Sequence, residues 1–372
     1  MDTAIALASR SIKATYAEIS IPILRSLEFT AAIRNDRYSD FGNTTNPKYT
    51  IRFNPIKELL FRGSYNEGFR APSFFQLYSI GGLSPLAQNI NDPVLCATFV
   101  ATNPNCGIRV DQLSGGNRDL KPEISKQHSY GVVIAPFDWF TATIDTWKVE
   151  RTQRIFLLQV TGANGILANF QTFPDSFLRN AAGALTVIRA GYVNADGDIS
   201  RGTDISIATN WKAMGGTWRA SMEGTKMHSY KSRVFKNRDY VEAVGGAWDA
   251  STIYLKWKHT ARASFTKGNW ATTVSQNYSS GYKDFVPDSI ALTPNVAPNY
   301  KRDVESYIVY NVSTSYSGIK NLTVIGGIQN LLNTDPPFTA ANVDFAPGTA
   351  WDARVANPRG RTFTLNLAYR FK

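Results

Sequence analysis

Apolar and polar residues alternate along this chain with a period of two. Near the C-terminus, Phe363, Leu365, Leu367, Tyr369 and Phe371 alternate with Thr362, Thr364, Asn366, Ala368 and Arg370. A strand sends successive side chains to opposite faces, so this segment is predicted to be a strand with one greasy and one polar face. Tyr49, Ile51 and Phe53 stand in the same relation to Lys48, Thr50 and Arg52. So do Ile253, Leu255, Trp257, Ala261 and Phe265 to Lys256, Lys258, Thr260, Arg262 and Ser264, and Ile308, Tyr310, Val312 and Tyr316 to Asn311, Ser313 and Ser315. No segment sustains a helical period, although 174–186 has room for one turn.

The alternation predicts about thirteen strands, near 8–20, 26–35, 48–54, 58–68, 123–135, 139–151, 187–211, 217–230, 252–265, 270–282, 306–317, 321–331 and 362–371. Short links such as Pro22–Arg25, Pro136–Asp138 and Lys267–Asn269 alternate with long Gly/Pro/Asn-rich excursions near 69–122, 152–186, 231–251, 283–305 and 332–361. Tight turns on one side and long loops on the other describe a transmembrane antiparallel β-barrel of the outer-membrane kind. A soluble sandwich or propeller has turns every 8–12 residues without that asymmetry.

Composition narrows the picture. The 372 residues are 43% hydrophobic, 19% charged and 12% aromatic, which excludes a disordered, charge-dense chain. No run of ~18 apolar residues exists, so no helical span is expected. Met1–Arg10 carries an acidic residue where a secretory signal is basic, and makes a poor signal. The formal charge of +11 is spread through the chain rather than gathered on one element, which argues against nucleic acid and for a solvated face or an anionic surface. Cys96 and Cys106 lie in one segment with no other cysteine, which suggests a local disulfide; a reduced pair in a loop is the alternative. Two thiolates without a nearby His do not complete a zinc shell, so no metal site is expected.

No catalytic constellation is visible. His128, His228 and His259 stand in no metal-binding spacing, and neither a nucleophile elbow nor a P-loop is present. Asp196-Gly197-Asp198 lacks the further carboxylates of a calcium loop and is read as a turn or strand irregularity.

The segment Gly63-Ser64-Tyr65-Asn66-Glu67-Gly68-Phe69-Arg70-Ala71-Pro72-Ser73 resembles a strand end of the TonB-dependent outer-membrane receptors. Gly116-Asn117-Arg118-Asp119-Leu120-Lys121-Pro122-Glu123 is similar to the family's return into the next strand, and Asp145-Thr146-Trp147-Lys148-Val149 to a later one. Val193-Asn194 through Gly202-Thr203-Asp204, then Gly327-Ile328-Gln329-Asn330-Leu331-Leu332-Asn333, and finally Gly360-Arg361-Thr362 through Phe371 follow in family order. The motif residues carried over are Gly68, Phe69, Arg70, Ala71, Pro72, Gly116, Asn117, Leu120, Pro122, Glu123, Asn330, Leu331 and Phe371.

The resemblance implies a barrel of twenty-two strands with an N-terminal plug, importing a scarce nutrient with energy from an inner-membrane complex. No plug, coupling box or signal peptide is recognisable here, so residues 1–372 are expected to be the C-terminal part of the barrel, with about thirteen strands of the larger design. Implied partners are outer-membrane lipid, a nutrient ligand, the coupling complex through the plug region, and the barrel assembly machinery, whose recognition Lys372 after Phe371 is expected to weaken. No resident cofactor is implied. An iron–siderophore, a cobalamin-like cofactor or a saccharide is the expected cargo; a passive channel and a soluble β-rich adhesin are the alternatives. Binding is expected from loops and upper lumen, with Tyr78, Arg109, Arg233, Trp351 and Arg354 as contributors, and Phe99, Lys236, Arg238 and Tyr282 beside them.

Overall fold

The structure is a computed structural model and describes residues 8–162, 165–249, 252–284, 303–339 and 350–371. Parts of the expected excursions 283–305 and 332–361, and Lys372, lie outside the described residues.

Thirteen long strands form one antiparallel sheet in chain order. They are β1 Ile12–Leu24, β2 Leu27–Tyr38, β3 Gly42–Ile56, β4 Leu59–Arg70, β5 Glu123–Phe137, β6 Phe140–Thr152 and β7 Gly197–Ala213. β8 Gly216–Arg233, β9 Trp257–Lys267, β10 Trp270–Ser279, β11 Tyr307–Ile319, β12 Leu322–Gln329 and β13 Thr362–Tyr369 complete it. Among the described residues β1 pairs only with β2 and β13 only with β12. Among the described residues the sheet is therefore open along both edges.

One end of the sheet carries two-residue turns, such as Met214-Gly215 with both residues at positive φ, a conformation that glycine tolerates best. Pro22 and Pro136, expected in the links, instead sit inside strand ends, as does Pro55. Pro22, Pro55 and Pro136 lie in or beside shifts of register, in Pro22–Leu24, Phe53–Ile56 and Ile134–Phe137. A bulge leaves one residue out of the ladder, and a proline has no N–H to donate to it. The expected first strand accordingly runs to Leu24.

One face of the sheet is apolar and stays uncovered: Tyr130 is 66% and Leu365 72% exposed. In water such a face is a liability, whereas in hydrocarbon it matches its solvent. Aromatic pairs mark two levels on it. Trp211–Trp218, Trp218–Phe265 and Trp270–Tyr316 lie toward the turns, and His259–Tyr278 toward the loops. Trp270 and Tyr278 are eight residues apart on one strand. At ~3.4 Å per residue and a tilt of ~40°, that separates the levels by about 20 Å, close to the apolar band of a barrel.

At the loop end two long connections build a cap. Gly82–Pro85, Asp111–Gly115, Leu185–Asn194 and Phe177–Arg179 form a small sheet, with Ile155–Leu157 added to Leu185–Asn194. Its core holds Ile90, Val110, Leu158, Val160, Ile166 and Ile188. The expected strand 187–211 is thus two strands: residues up to Asn194 serve the cap, and those from Gly197 serve the main sheet. Charge explains the break at Asp196-Gly197-Asp198. Arg233 Nε donates to Asp196 at 2.6 Å and Arg151 Nε donates to Asp198 at 2.8 Å, so both carboxylates turn toward cations of the neighbouring strands. The expected strand 252–265 likewise joins the main sheet only from Trp257; Thr252–Ile253 pairs with Ala247–Asp249.

Candidate ligand-facing site

Alternation puts Ser275, Asn277 and Ser279 of β10, Asn311 of β11 and Thr362 of β13 on the polar face at the loop end, where they line a cavity of about 640 Å³. The segment 353–360 closes over it, bringing Arg354 and Arg359 into the lining. No carboxylate lines this cavity among the described residues. Its polar lining is therefore amide, hydroxyl and guanidinium, beside apolar Val309, Val312, Ile328 and Val355.

Asp352 shapes the covering segment. Its buried carboxylate accepts from the Arg354 backbone N–H at 2.8 Å and from Arg354 Nε at 2.9 Å, while its carbonyl accepts from the N–H groups of Val355 and Ala356. Desolvation pushes this carboxyl's pKa up, but the Arg354 hydrogen bonds outweigh it and hold it below the usual carboxylate range. Tyr307 Oη donates to the Asn357 carbonyl at 3.2 Å and ties the segment to β11. Arg359 is exposed and forms no ion pair among the described residues.

A second cavity of about 590 Å³ lies along the polar wall, where Asp145, Asp204, Thr225 and Lys258 stand opposite one another on four successive strands. Thr225 Oγ1 donates to Asp204 at 2.7 Å. Among the described residues no three His, Cys, Asp or Glu side chains are grouped to hold a metal.

The motif residues clamp loop roots. Arg70 donates twice to Glu123 at 2.7 Å across β4 and β5, and Glu123 also accepts the Ile155 N–H at 2.7 Å, anchoring the cap. A Cβ on Gly116 would sit 2.7 Å from the Leu77 carbonyl carbon, so only glycine lets these two segments meet. Asn117 Nδ2 donates to the Tyr192 carbonyl at 2.9 Å, and Leu120 packs with Leu77 and Ile155. Phe69 meets Tyr38 edge-on, and the buried Pro72 offers its carbonyl to Arg10 at 2.8 Å. Gly68, Ala71 and Pro122 flank these clamps.

Asn330 adopts φ 51°, a left-handed conformation asparagine tolerates, and ends β12. Its N–H donates to Asn311 Oδ1 at 3.0 Å, and its side chain exchanges hydrogen bonds with Thr334. Asn333 Oδ1 accepts the Arg361 N–H at 2.9 Å, and Arg361 Nε donates to the Leu331 carbonyl at 2.9 Å. The Asn-Leu-Leu-Asn run thus ties β12 to β11 and to the start of β13. Phe371 lies just past β13, 85% exposed, against Tyr369.

Cys96 and Cys106 are disulfide-bonded, with Cα atoms 5.3 Å apart, in the cap hairpin. Of the residues expected to contact a ligand, Arg354 alone lines the larger cavity. Arg233 is engaged by Asp196 and stacks on Tyr240, and Arg238 donates to Asn169 at 3.2 Å. Tyr78 packs in the cap root beneath Arg118, whereas Phe99, Arg109 and Lys236 are exposed and line neither cavity. Tyr282 is buried with Leu255 and Val304, and burial pushes its phenol up to about 12. Trp351 is half-buried beside Asp352 in the chain. Arg359, which the sequence reading missed, sits in an aperiodic Asn-Pro-Arg-Gly-Arg loop where no pattern singles it out.

The family model described as TonB dependent receptor-like, beta-barrel, matches residues 4–331. Among curated proteins no sequence matches. The siderophore receptor PirA from Acinetobacter baumannii has a similar structure, with TM-score 0.67 and 16% identity over 97% of this chain and 46% of that one. A variant of the ferric enterobactin receptor PfeA from Pseudomonas aeruginosa gives 0.65 and 15% over 98% and 45%. The copper transporter OprC gives 0.58 and 11% over 97% and 48%. The chain spans about half the length of these structures.

Proposed function

The chain belongs to the TonB-dependent receptor β-barrel family, and from that premise we propose that it forms wall and cap of an outer-membrane receptor that imports a scarce nutrient with energy from the inner membrane. Transport rather than catalysis is its role. A plug domain, the remaining strands and the coupling complex complete the machine. The single observation carrying this reading is the cavity on the polar face, lined by 353–360 and, among the described residues, free of carboxylates and holding Arg359 without an acidic partner. Guanidinium groups form charge-assisted hydrogen bonds with anionic oxygens, and amides and hydroxyls donate to neutral ones. An anionic, oxygen-rich chelate such as an iron–siderophore fits that set better than a bare cation. The siderophore receptors of similar fold support the same cargo class.

The test is uptake of a labelled ferric chelate by cells producing the full receptor, alongside binding to the purified protein. Arg359→Ala weakens binding about tenfold, the loss expected of a charge-assisted hydrogen bond. Uptake that persists unchanged after the inner-membrane energy is collapsed sinks the coupled-import reading.

A further inference from the structure

The apolar face carries a groove of about 430 Å³ across β7–β11. Ala220, Ala261 and Ala263 make its small-residue floor, and Ile207, Met222 and Val274 rise around it. On a face turned to hydrocarbon, such a furrow is filled by lipid chain. Gln276 and Tyr310 also line it, and their polarity needs explaining, because an unsatisfied polar group in hydrocarbon costs several kcal/mol.

Four side chains answer part of that need in one direction. Trp257 Nε1 donates to His259 Nδ1 at 2.7 Å. Indole is a donor only, so Nδ1 accepts and the proton of this neutral imidazole sits on Nε2. Nε2 then donates to Gln276 Oε1 at 3.0 Å, and Gln276 Nε2 donates to the Tyr310 hydroxyl oxygen at 2.7 Å. The relay ends with the Tyr310 O–H proton, which meets no acceptor among the described residues. A donor is thus held ready at the mouth of an apolar furrow.

Charge lies above it. Lys226 stands opposite Trp257, two rows toward the loops from Met222, and is exposed. Arg201 stands opposite Lys148 on the same face and is also exposed; neither Arg201 nor Lys226 has an acidic partner among the described residues. Four residues of tilted strand set Lys226 about 10 Å above the Met222 level along the membrane normal. That places a cation on the loop side of the furrow, where a headgroup rather than an acyl chain lies.

We propose that this furrow is a binding site for one phosphate-bearing membrane lipid. Its acyl chain lies over Ala220, Ala261 and Ala263, an ester carbonyl accepts the Tyr310 O–H, and its phosphate meets Lys226 and Arg201. The site rests on the reading that the apolar face is embedded in a bilayer.

The test places the full receptor in phosphatidylcholine nanodiscs containing phosphatidylglycerol with a photoreactive acyl chain. Cross-links are expected to concentrate on β8–β11 peptides bearing Met222, Ala261 and Val274. Ala261→Trp, which fills the floor, cuts that labelling at least fivefold, and Tyr310→Phe cuts it several-fold. Lys226→Glu with Arg201→Glu lowers labelling by the phosphatidylglycerol probe but not by a photoreactive diacylglycerol, which keeps the ester carbonyls and lacks the phosphate. Heat-modifiable migration confirms that each variant is folded, and Ala263→Leu replaces Ala261→Trp where that one is not. Even labelling around an embedded receptor, or labelling indifferent to these substitutions, overturns the lipid site alone. A receptor that never enters the bilayer overturns the transport reading with it.

Discussion

Arg62 of β4 and Asp145 of β6 are joined across an intervening strand, with Arg62 Nε donating to Asp145 Oδ1 at 2.8 Å. Gly131 of β5 stands opposite both residues, and a Cβ there would collide with the Asp145 carboxylate. The missing side chain is what lets two strands that do not touch be pinned together over a third. Gly131→Ala therefore breaks the pair as surely as Asp145→Asn does. Each is expected to lower stability by about 1 kcal/mol, the modest value of a half-exposed pair. Combining them is expected to cost little more than either alone, as residues sharing one interaction couple. Denaturant midpoints of the two single variants and the double variant check this, and full additivity contradicts it.

The two faces of β13 are expected to tolerate charge unequally. Leu365 lies on the exposed apolar face, and Asn366 on the opposite one. Leu365→Arg is expected to impair insertion, because arginine at the midplane of a barrel costs ~2–4 kcal/mol. Asn366→Arg is expected to be mild. Membrane yield and heat-modifiable migration of the two variants report the difference; equal yields exclude the assignment of faces.

The cap has its own lock. Asp92 is fully buried and accepts from Arg179 Nη1 at 2.6 Å and from the N–H groups of Val94 and Leu95. Arg179→Met leaves that carboxylate uncompensated, a loss of about 3–5 kcal/mol for a buried pair. The expected result is proteolysis between 71 and 122 while the main sheet stays folded. Cys96→Ser with Cys106→Ser is expected to loosen the same hairpin and leave barrel assembly intact. Limited proteolysis with and without denaturing heat separates cap from barrel.

Acid is expected to open the cap late. Desolvation raises the Asp92 pKa, but Arg179 and the two backbone donors prevail and hold it below the usual range. A folded pKa below the unfolded value of ~3.9 means that the unfolded state takes up protons first as pH falls. The stabilisation is complete above the unfolded pKa and is withdrawn as pH drops through the lower, folded one. Protection against hydrogen exchange in the cap, corrected for the intrinsic pH dependence of amide exchange, is thus flat from pH 7 to about 5 and falls below about 4. Asp92→Asn removes this step; a variant that keeps it places the titration elsewhere.

How much of this was legible in the sequence depends on periodicity. Phe363, Leu365 and Leu367 alternate with Thr364 and Asn366 over an uninterrupted run, so period two located the strand and sorted its faces. The cap core hid because Ile90, Val110 and Ile166 come from separate loop segments that share no period with the strand carrying Ile188. The division of 187–211 hid for a related reason: alternation continues on both sides of Ala195, and only the ion pairs of Asp196 and Asp198 show where one strand yields to another. Motifs located Asn330 and Glu123 but not their contacts, which tie loop roots together, with Asn330 also lining the larger cavity. Arg359 carried no signal at all, since its place at the cavity depends on how Asp352 folds the segment before it.

The unpaired edges carry the last expectation. β1 presents one row of backbone groups without partners, and β13 another, among the described residues. With thirteen strands in strict antiparallel order, the two edge strands run in the same direction. Joining them directly requires a parallel seam in an otherwise antiparallel barrel. It also requires a narrower cylinder, because strand number, tilt and stagger are linked. Leaving them open in hydrocarbon costs several kcal/mol for each bare N–H and C=O. Residues 1–372 produced alone are therefore expected to form neither a heat-modifiable barrel nor a transporter. Co-production with the additional strands and plug of a full receptor is expected to restore both, since every edge group then finds an antiparallel partner. Gel migration before and after heating, together with uptake of a labelled ferric chelate, compares the two forms. A heat-modifiable, transport-competent product from residues 1–372 alone would show that β1 and β13 have a pairing solution that this geometry does not reveal.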